Sequence, residues 1–420
     1  MWANTIRKPY NKSVFRRVYL DNSATTPVDP RVVDEMLPFL KEDFGNPSSI
    51  HYFGQRARAA VDKARHQVAE LINARPNEIV FTSGGTESNN LAIRGLIEAH
   101  VSSPHPGKGS AEFNGKRHII TTSIEHPSVK NVFEDLEKQS LEVTWLPAYE
   151  NGIVRLEDVK AAVRDDTVLI SVMTANNEIG TLQPVGEIGK LVRELRGSGR
   201  KIWFHTDAVQ AVGKINVDVE EIGCDLLSLS GHKIYAPKGI GALYVRRGTR
   251  LHPQSVGGRQ ERRLRGGTES VPMIVSLGKA AELAASELEW DSLRLGNLRE
   301  RLESSIAERI EDIEFNGDRD RRLPNISNIS FRRIEGEGLL INLDMAGVAV
   351  STGSACSSGS LAPSPVIRAI GRDDELARGA IRFSLGRENK EEDIDYLLEQ
   401  LPRAVETLRH LAPKSRTQAK

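Results

Sequence analysis

The stretch Ser228-Leu-Ser-Gly-His-Lys-Ile-Tyr-Ala-Pro-Lys238 sets one lysine, Lys233, at the end of an apolar run and beside two glycine-containing turns. Residues 225–229 alternate as a half-buried strand would and residues 239–245 read as a second strand, so the Gly-His-Lys turn falls at a strand end. A lysine held there and partly desolvated loses some of its preference for the ammonium form and can attack a carbonyl carbon, the chemistry of a Schiff-base lysine. Taken alone, the turn has a blander and commoner reading as a solvated charge. His126, in Ile124-Glu-His-Pro-Ser128, also lies at a strand terminus, where ligands of open α/β sheets gather, although a lone histidine is more often a surface residue. Asp207 stands at the tip of the apolar run Lys201-Ile-Trp-Phe-His205, either solvated or in an ion pair.

Cys224 and Cys356 are the two cysteines, which excludes a disulfide framework or a four-cysteine zinc site and fits a reducing compartment. They differ in setting. Residues 351–360 are Ser, Thr, Gly, Ala and Cys only, whereas Cys224 follows Gly223 at the start of an apolar strand, as a packed and inert thiol would.

The elements that must position these residues follow a repeating pattern. Glu78-Ile-Val-Phe-Thr82 is a strand running into Ser83-Gly-Gly-Thr-Glu-Ser88 and a helix to about Ala99; two glycines and a hydroxyl at a helix start suit a phosphate, or make a plain capped turn. His118–Ser123 and residues 167–173 are further strands, followed by helices over 129–139 and 184–196, and a helix over 56–73 carries one apolar stripe. Asp21-Asn-Ser-Ala-Thr-Thr-Pro27 and Phe44-Gly-Asn-Pro-Ser-Ser49 are turns of small polar residues able to line a pocket. The run Gly257–Thr268 mixes arginine with glycine, as anion-binding and solvated loops both do. Alternation of strands and helices through about 250 residues argues for an α/β fold with a mainly parallel sheet covered on both faces. From about Pro272 the pattern changes to a long Ala/Leu/Glu helix, short strands near 325–331 and 348–351, the run Ile381-Arg-Phe-Ser-Leu-Gly-Arg387 and a closing helix over 391–411, which reads as a smaller α+β domain.

At 420 residues two domains are the default. The expected division is a basic arm over 1–17, a large domain over 18–271 and a small C-terminal domain over 272–420. Lys+Arg and Asp+Glu both number 57, so charge gives no sign of nucleic-acid binding, and no apolar run is long enough for a membrane span. The basic N-terminal residues lack a secretory apolar core, which leaves a cytoplasmic location as the expectation and an organellar transit segment as the lesser option. Residues 101–116 read as a mobile surface insertion and 413–420 as a frayed polar tail.

Together, Tyr19-Leu-Asp-Asn-Ser-Ala-Thr-Thr-Pro27, Thr82-Ser-Gly-Gly-Thr-Glu-Ser88, Asn176-Asn-Glu-Ile-Gly180, Ser230-Gly-His-Lys-Ile-Tyr235 and Ser351-Thr-Gly-Ser-Ala-Cys356 resemble the NifS/IscS-type cysteine desulfurases over about 18–411. These belong to the class-V aminotransferases, with the fold-type I architecture of pyridoxal 5'-phosphate enzymes and a seven-stranded type of sheet. The resemblance implies that Lys233 binds the cofactor aldehyde and moves protons, that Asp207 pairs with the ring nitrogen, and that His126 stacks on the ring and assists proton transfer. It implies that Gln210 and Asn177 bond near the phenolic oxygen, that Gly85, Thr86, Ser230 and His232 hold the phosphate, and that Thr268 reaches the phosphate of a neighbouring subunit in a homodimer. Arg382 would clamp the L-cysteine carboxylate with help from Asn177, and Cys356 would take the sulfur as a persulfide on a loop able to swing, releasing L-alanine. A protein acceptor such as an iron–sulfur scaffold would receive the sulfur.

The 101–116 insertion and the absence of a Trp-containing C-terminal ending depart from that pattern and leave the acceptor open. Two alternatives stand beside this reading. A selenocysteine lyase-like enzyme carries its cysteine in an Arg-x-Gly-His-x-Cys stretch, which is absent here, and a non-catalytic sulfur-carrier subunit has no use for Lys233, Asp207, His126 and Cys356 together.

Overall fold

The computed structural model describes residues 16–100, 118–352 and 363–411. The basic arm except its last two residues, the 101–116 insertion, Cys356 and the polar tail lie outside the described residues. The first strand, β1 (Val18–Tyr19), is followed by β2 (Ile79–Thr82), β3 (His118–Thr122), β4 (Glu142–Leu146), β5 (Thr167–Ser171), β6 (Trp203–Asp207), β7 (Leu226–Ser230) and β8 (Gly241–Val245). Strands β2 to β8 form one seven-stranded sheet in the order β2-β8-β7-β6-β5-β3-β4. Only β8 runs against its neighbours β2 and β7; the remaining pairs are parallel. Since β2 lies on the far side of β8, the ends of β2, β3, β5, β6 and β7 all open on the same edge of the sheet.

Helices cover both faces. Ile79, Phe81, Ile120, Ile170, Phe204 and Leu227 pack with the helix Tyr52–Leu71 on one side, and Val80, Ile119, Leu169, Leu226 and Leu243 pack with the helices Gly85–His100 and Pro127–Glu137 on the other. Strand β7 is therefore not half-buried as its alternation suggests. All five of its residues are buried, because a parallel strand inside a doubly covered sheet has no solvent face. Its serines are accommodated by bonding inward, Ser228 Oγ lying 3.2 Å from His205 Nε2.

The remaining strands are β9 (Ile313–Phe315), β10 (Ile326–Phe331), β11 (Val348–Ala349) and β12 (Ala380–Ser384). An antiparallel sheet β12-β10-β9 packs with the closing helix Glu391–Leu411 around Phe331, Phe383, Leu397 and Leu401. Two features cross the expected domain boundaries. β1 pairs in parallel with β11, so Val18 and Leu20 belong to this second core although they begin the chain. The 39-residue helix Val271–Arg309 serves both cores, burying Ile274, Leu277 and Ala281 in the first and Leu295, Leu302 and Ile306 in the second. Asp21 bridges to Ser384 and Ser351 bridges to Arg382, so the small sheet delivers β12 to the edge where the large sheet's strands end.

Candidate active site

A cavity of about 330 Å³ opens at that edge. Each strand end contributes to it: Gly85 and Thr86 after β2, His126 and Ser128 after β3, Met173, Ala175 and Asn177 after β5, Asp207, Val209 and Gln210 from β6, and Ser230, His232 and Lys233 from β7. Ser23 and Ala24 come from the turn after β1, and Arg382 comes from β12. Of the residues selected from sequence, all but Thr268 and Cys356 line this one cavity. Thr268 is exposed on the loop after η-turn residues 260–263, away from the cavity, and Cys356 lies outside the described residues.

Lys233 Nζ donates to the carbonyls of Ser23 and, at 2.8 Å, of Ala24. The turn that presents it is cross-tied to the same segment, with Thr26 N donating to His232 O at 3.0 Å and Tyr235 N to Thr26 Oγ1 at 2.9 Å. The Asp21–Pro27 turn thus enters the site as expected, but its backbone carbonyls hold the lysine. The similar-looking 44–49 turn lines no part of the cavity.

Asp207, 6% exposed, accepts from Asn89 Nδ2 at 2.7 Å and from Val209 N at 2.9 Å. These donors hold the carboxylate in one orientation and stabilise its charge. His126 caps the helix Pro127–Glu137: its Nδ1 accepts from Ser128 N at 3.1 Å, which leaves the ring proton on Nε2. Burial, with lesser contributions from the Lys233 and Arg382 cations, pulls this imidazole below its usual range against the opposing pull of Asp207. His126 is therefore neutral at pH 7. Burial likewise takes His232 down to about 4, and behind the wall it pushes the Glu125 carboxyl up to about 8, with Asp207 adding to the rise.

Arg382 is 3% exposed and spans two segments, Nη1 donating to Asn177 O and Nη2 to Asp21 Oδ1, both at 2.8 Å. Among the described residues its Nε has no acceptor, and Ser23 Oγ and Gln210 Oε1 are buried without partners as well. Buried polar atoms are almost always satisfied, so orphaned groups on three residues around one cavity mark where a polar ligand bonds. The Gly85 end of the cavity is equally specific: a Cβ there would come within 2.8 Å of Val209 Cγ2, so the helix start approaches Val209 without room for a side chain. A helix N-terminus at one end suits a phosphate, Asp207 inside suits a ring nitrogen that must stay protonated, and Lys233 suits an aldehyde; this donor set fits pyridoxal phosphate. Sequence reasoning missed Asn89, Ser128 and the Ser23 and Ala24 carbonyls. Asn89 and Ser128 sit in helices whose apolar spacing gave no reason to single them out, and backbone carbonyls carry no residue signature.

Among the described residues no helix is long and apolar enough to cross a membrane. Cys224 is fully buried and unpaired, and burial drives its thiol well above the usual range, consistent with an inert packed side chain.

Comparison with known proteins matches residues 18–397 to the family described as aminotransferase class-V. The chain is 50% identical over 398 residues to a cysteine desulfurase IscS of Dictyoglomus turgidum, covering 95% of this chain and 97% of the relative. It is 47% identical over 414 residues to a Homo sapiens cysteine desulfurase, covering 98% of this chain and 86% of that protein. A solved structure titled NIFS-like protein superposes with a TM-score of 0.84 at 37% identity, over 93% of this chain and all of that one. Sheet order, the cavity at the strand ends and these likenesses agree on the fold-type I α/β architecture, and the chain belongs to the class-V aminotransferase family.

Proposed function

We propose that this chain is a pyridoxal-phosphate-dependent cysteine desulfurase, which removes sulfur from L-cysteine, releases L-alanine and holds the sulfur as a persulfide for a protein acceptor. The observation that carries this reading is the convergence of Lys233, Asp207, His126 and Arg382 on one cavity at the sheet edge. Its relatives bear the name cysteine desulfurase over nearly the whole length.

When bound, the cofactor supplies an electron sink for the bond-breaking at the substrate Cα. Lys233 would hold its aldehyde, and the amine, once freed from it, would take and return the Cα proton, the Ser23 and Ala24 carbonyls keeping that amine at the cavity. Asp207 keeps the ring nitrogen protonated, Gln210 offers its unpaired Oε1 toward the ring substituents beside Asn177, and Gly85, Thr86, Ser230 and His232 line the phosphate end. Arg382 receives the substrate carboxylate, its unpaired Nε supplying a donor and Asp21 and Asn177 fixing the plane of the guanidinium. Neutral His126, its Nδ1 held by Ser128 N, lines the cavity and offers its Nε2 hydrogen there as a donor.

Cys356 is assigned the thiolate: its sulfur bonds the substrate sulfur as the substrate C–S bond breaks, and the carbon is protonated to leave as alanine. The segment that carries it departs from Ser351, whose backbone exchanges hydrogen bonds with Arg382, and returns at Ser364, whose Oγ bonds Glu178 Oε2 at 2.6 Å next to Asn177. Both roots are thus fixed beside the cavity, which supports the assignment.

The same reading makes the protein a cytoplasmic homodimer serving an acceptor such as an iron–sulfur scaffold. Support for the dimer is the group of exposed apolar side chains at the start of the helix Tyr52–Leu71, where Phe44 (70%) and Tyr52 (65%) both pack on Phe53 and Ile50 is 91% exposed. Thr268 stands on the loop beside it, pinned by Arg58 to Glu269 and Arg65 to Glu261. The division into a large part over 18–271 and a small part over 272–420 is proposed with two exceptions: β1 joins the second core, and Ile274 to Leu283 of the long helix with Leu323 and Ile326 join the first. The test is release of L-alanine and sulfide from L-cysteine with a thiol reductant. Equal production of both is expected, and absence of both from cofactor-loaded protein overturns the reading.

A further inference from the structure

Behind the reactive turn lies a second lysine to which the desulfurase chemistry gives no task. Lys214 Nζ donates to the backbone carbonyl of Lys233 at 3.3 Å. The turn that carries it, closed by Lys214 N donating to Ala211 O at 3.0 Å, lies against the Ile234 side chain. Gly213, at φ +71°, makes this approach possible, since a Cβ there would come within 2.7 Å of Ile234 Cγ2. Among the described residues Lys214 forms no ion pair. Asp291 lines the same narrow cleft, but its carboxylate is taken by Arg387 Nε.

A desolvated cation without a counterion is costly, and the surroundings act on Lys214 accordingly: burial first, then the Lys233 and Arg387 cations, bring it down to about 7. His232, on the reactive turn, also registers the charges of Lys233, Lys238 and Lys214. A neighbouring cation is one of the means by which a lysine is activated as a nucleophile.

The geometry points to Lys214 as a positioning residue for Lys233: it holds the carbonyl at the root of that side chain and, when protonated, sets a positive charge behind the amine so that the amine gives up its own proton more easily. This rests on the reading of Lys233 as the carbonyl-reactive lysine. The charged and titratable groups facing Lys214 are His232, Lys233 and Tyr235 on the reactive turn, Arg387 after β12 and Asp291 on the long helix, with His232 brought by burial to about 4 and so uncharged near neutral pH. The Asp291 carboxylate is bound by Arg387 Nε, and burial pushes the Tyr235 phenol up to about 12. Lys214, brought down to about 7, changes charge near neutral pH. Its help is complete below about 7 and fades as pH rises and its proton leaves.

The experiment strips full-length enzyme of cofactor and follows reloading with pyridoxal phosphate by the visible absorbance of the covalent product. The Lys233 amine adds to the aldehyde carbon, its proton going to solvent, and water leaves. Lys214→Met is expected to reload about tenfold more slowly than wild type at about pH 6 and within about twofold of it at about pH 8.5. Lys214→Arg, which keeps charge and donor, is expected to reload near the wild-type rate at about pH 6. Wild-type rates for Lys214→Met at both pH values overturn the proposal, and so do equal losses in both variants at both pH values, which mean a structural role. Borohydride reduction of wild type followed by peptide mapping reads the underlying assignment separately. Cofactor fixed to the Lys233 peptide upholds it, and cofactor fixed elsewhere overturns both.

Discussion

Asp207 illustrates how a single side chain is made fit for its part. Two donors from the protein fix its carboxylate, and the cavity leaves it facing the ligand. Replacing it by Asn removes the charge but keeps the shape. Steady-state alanine production by Asp207→Asn is expected to fall by about 10² to 10³, the scale of losing one preorganised electrostatic partner; a change under about threefold would show that Asp207 is not the ring partner. Lys233→Ala is expected to make no alanine above background while still taking up cofactor without a covalent bond, since no other lysine lines the cavity among the described residues. Measured turnover close to wild type in that variant would remove Lys233 from the mechanism. Lys233, His126, Asp207 and Arg382 were legible in the sequence because each ends or interrupts an apolar run within a recognisable motif. Asn89 was not: it lies 118 positions from the Asp207 it holds. Distant pairs of this kind have no local spacing to betray them.

At the scale of elements, the site is an edge: five strands end on it and one strand from the small sheet closes it. Those strands were legible from short apolar runs bounded by turns, and the helices from their apolar stripes, with ends shifted by a few residues where capping decides. His126, as an N-cap, sets one such start, two residues before the expected Val129. What sequence could not show is that β1 belongs with β11, because a two-residue strand has no periodicity and its partner lies more than three hundred residues away. The burial of β7 on both faces was hidden for another reason, since its serines imitate the polar face of an exposed strand. The turn after β2 offers a direct check. Gly85→Ala forces its new methyl against the β-branched Val209, so cofactor affinity, measured by equilibrium titration, is expected to weaken by about tenfold with the fold intact. Unchanged affinity would place the phosphate elsewhere.

Across the whole molecule, histidines buried without charge tie stability to pH. His205 lies fully buried between Ser171 and Ser228, and burial brings it down to about 3. The unfolded chain, with this histidine near 6.5, binds the extra proton between those values, so stability falls as pH drops below about 6.5. Denaturant unfolding at about pH 7 and about pH 5 is expected to show that loss, and His205→Gln to lose about 2 kcal/mol less between the two conditions. Packing lost in the variant is common to both conditions and drops out of the difference, so an equal loss in the two proteins would mean that His205 is not the group. Glu125 acts in the opposite sense: its folded value of about 8 gives a contribution complete at acid pH and lost as pH rises through that value.

The two thiols carry the central claim. Cys224 is packed and inert, and Cys356 is the assigned carrier of sulfur. Treating the enzyme with L-cysteine, alkylating it and weighing its peptides locates the sulfur directly. The account predicts one additional sulfur on the peptide bearing Cys356, lost in Cys356→Ser together with alanine release and retained in Cys224→Ser. Sulfur on the Cys224 peptide, or full alanine release surviving in Cys356→Ser, would contradict it.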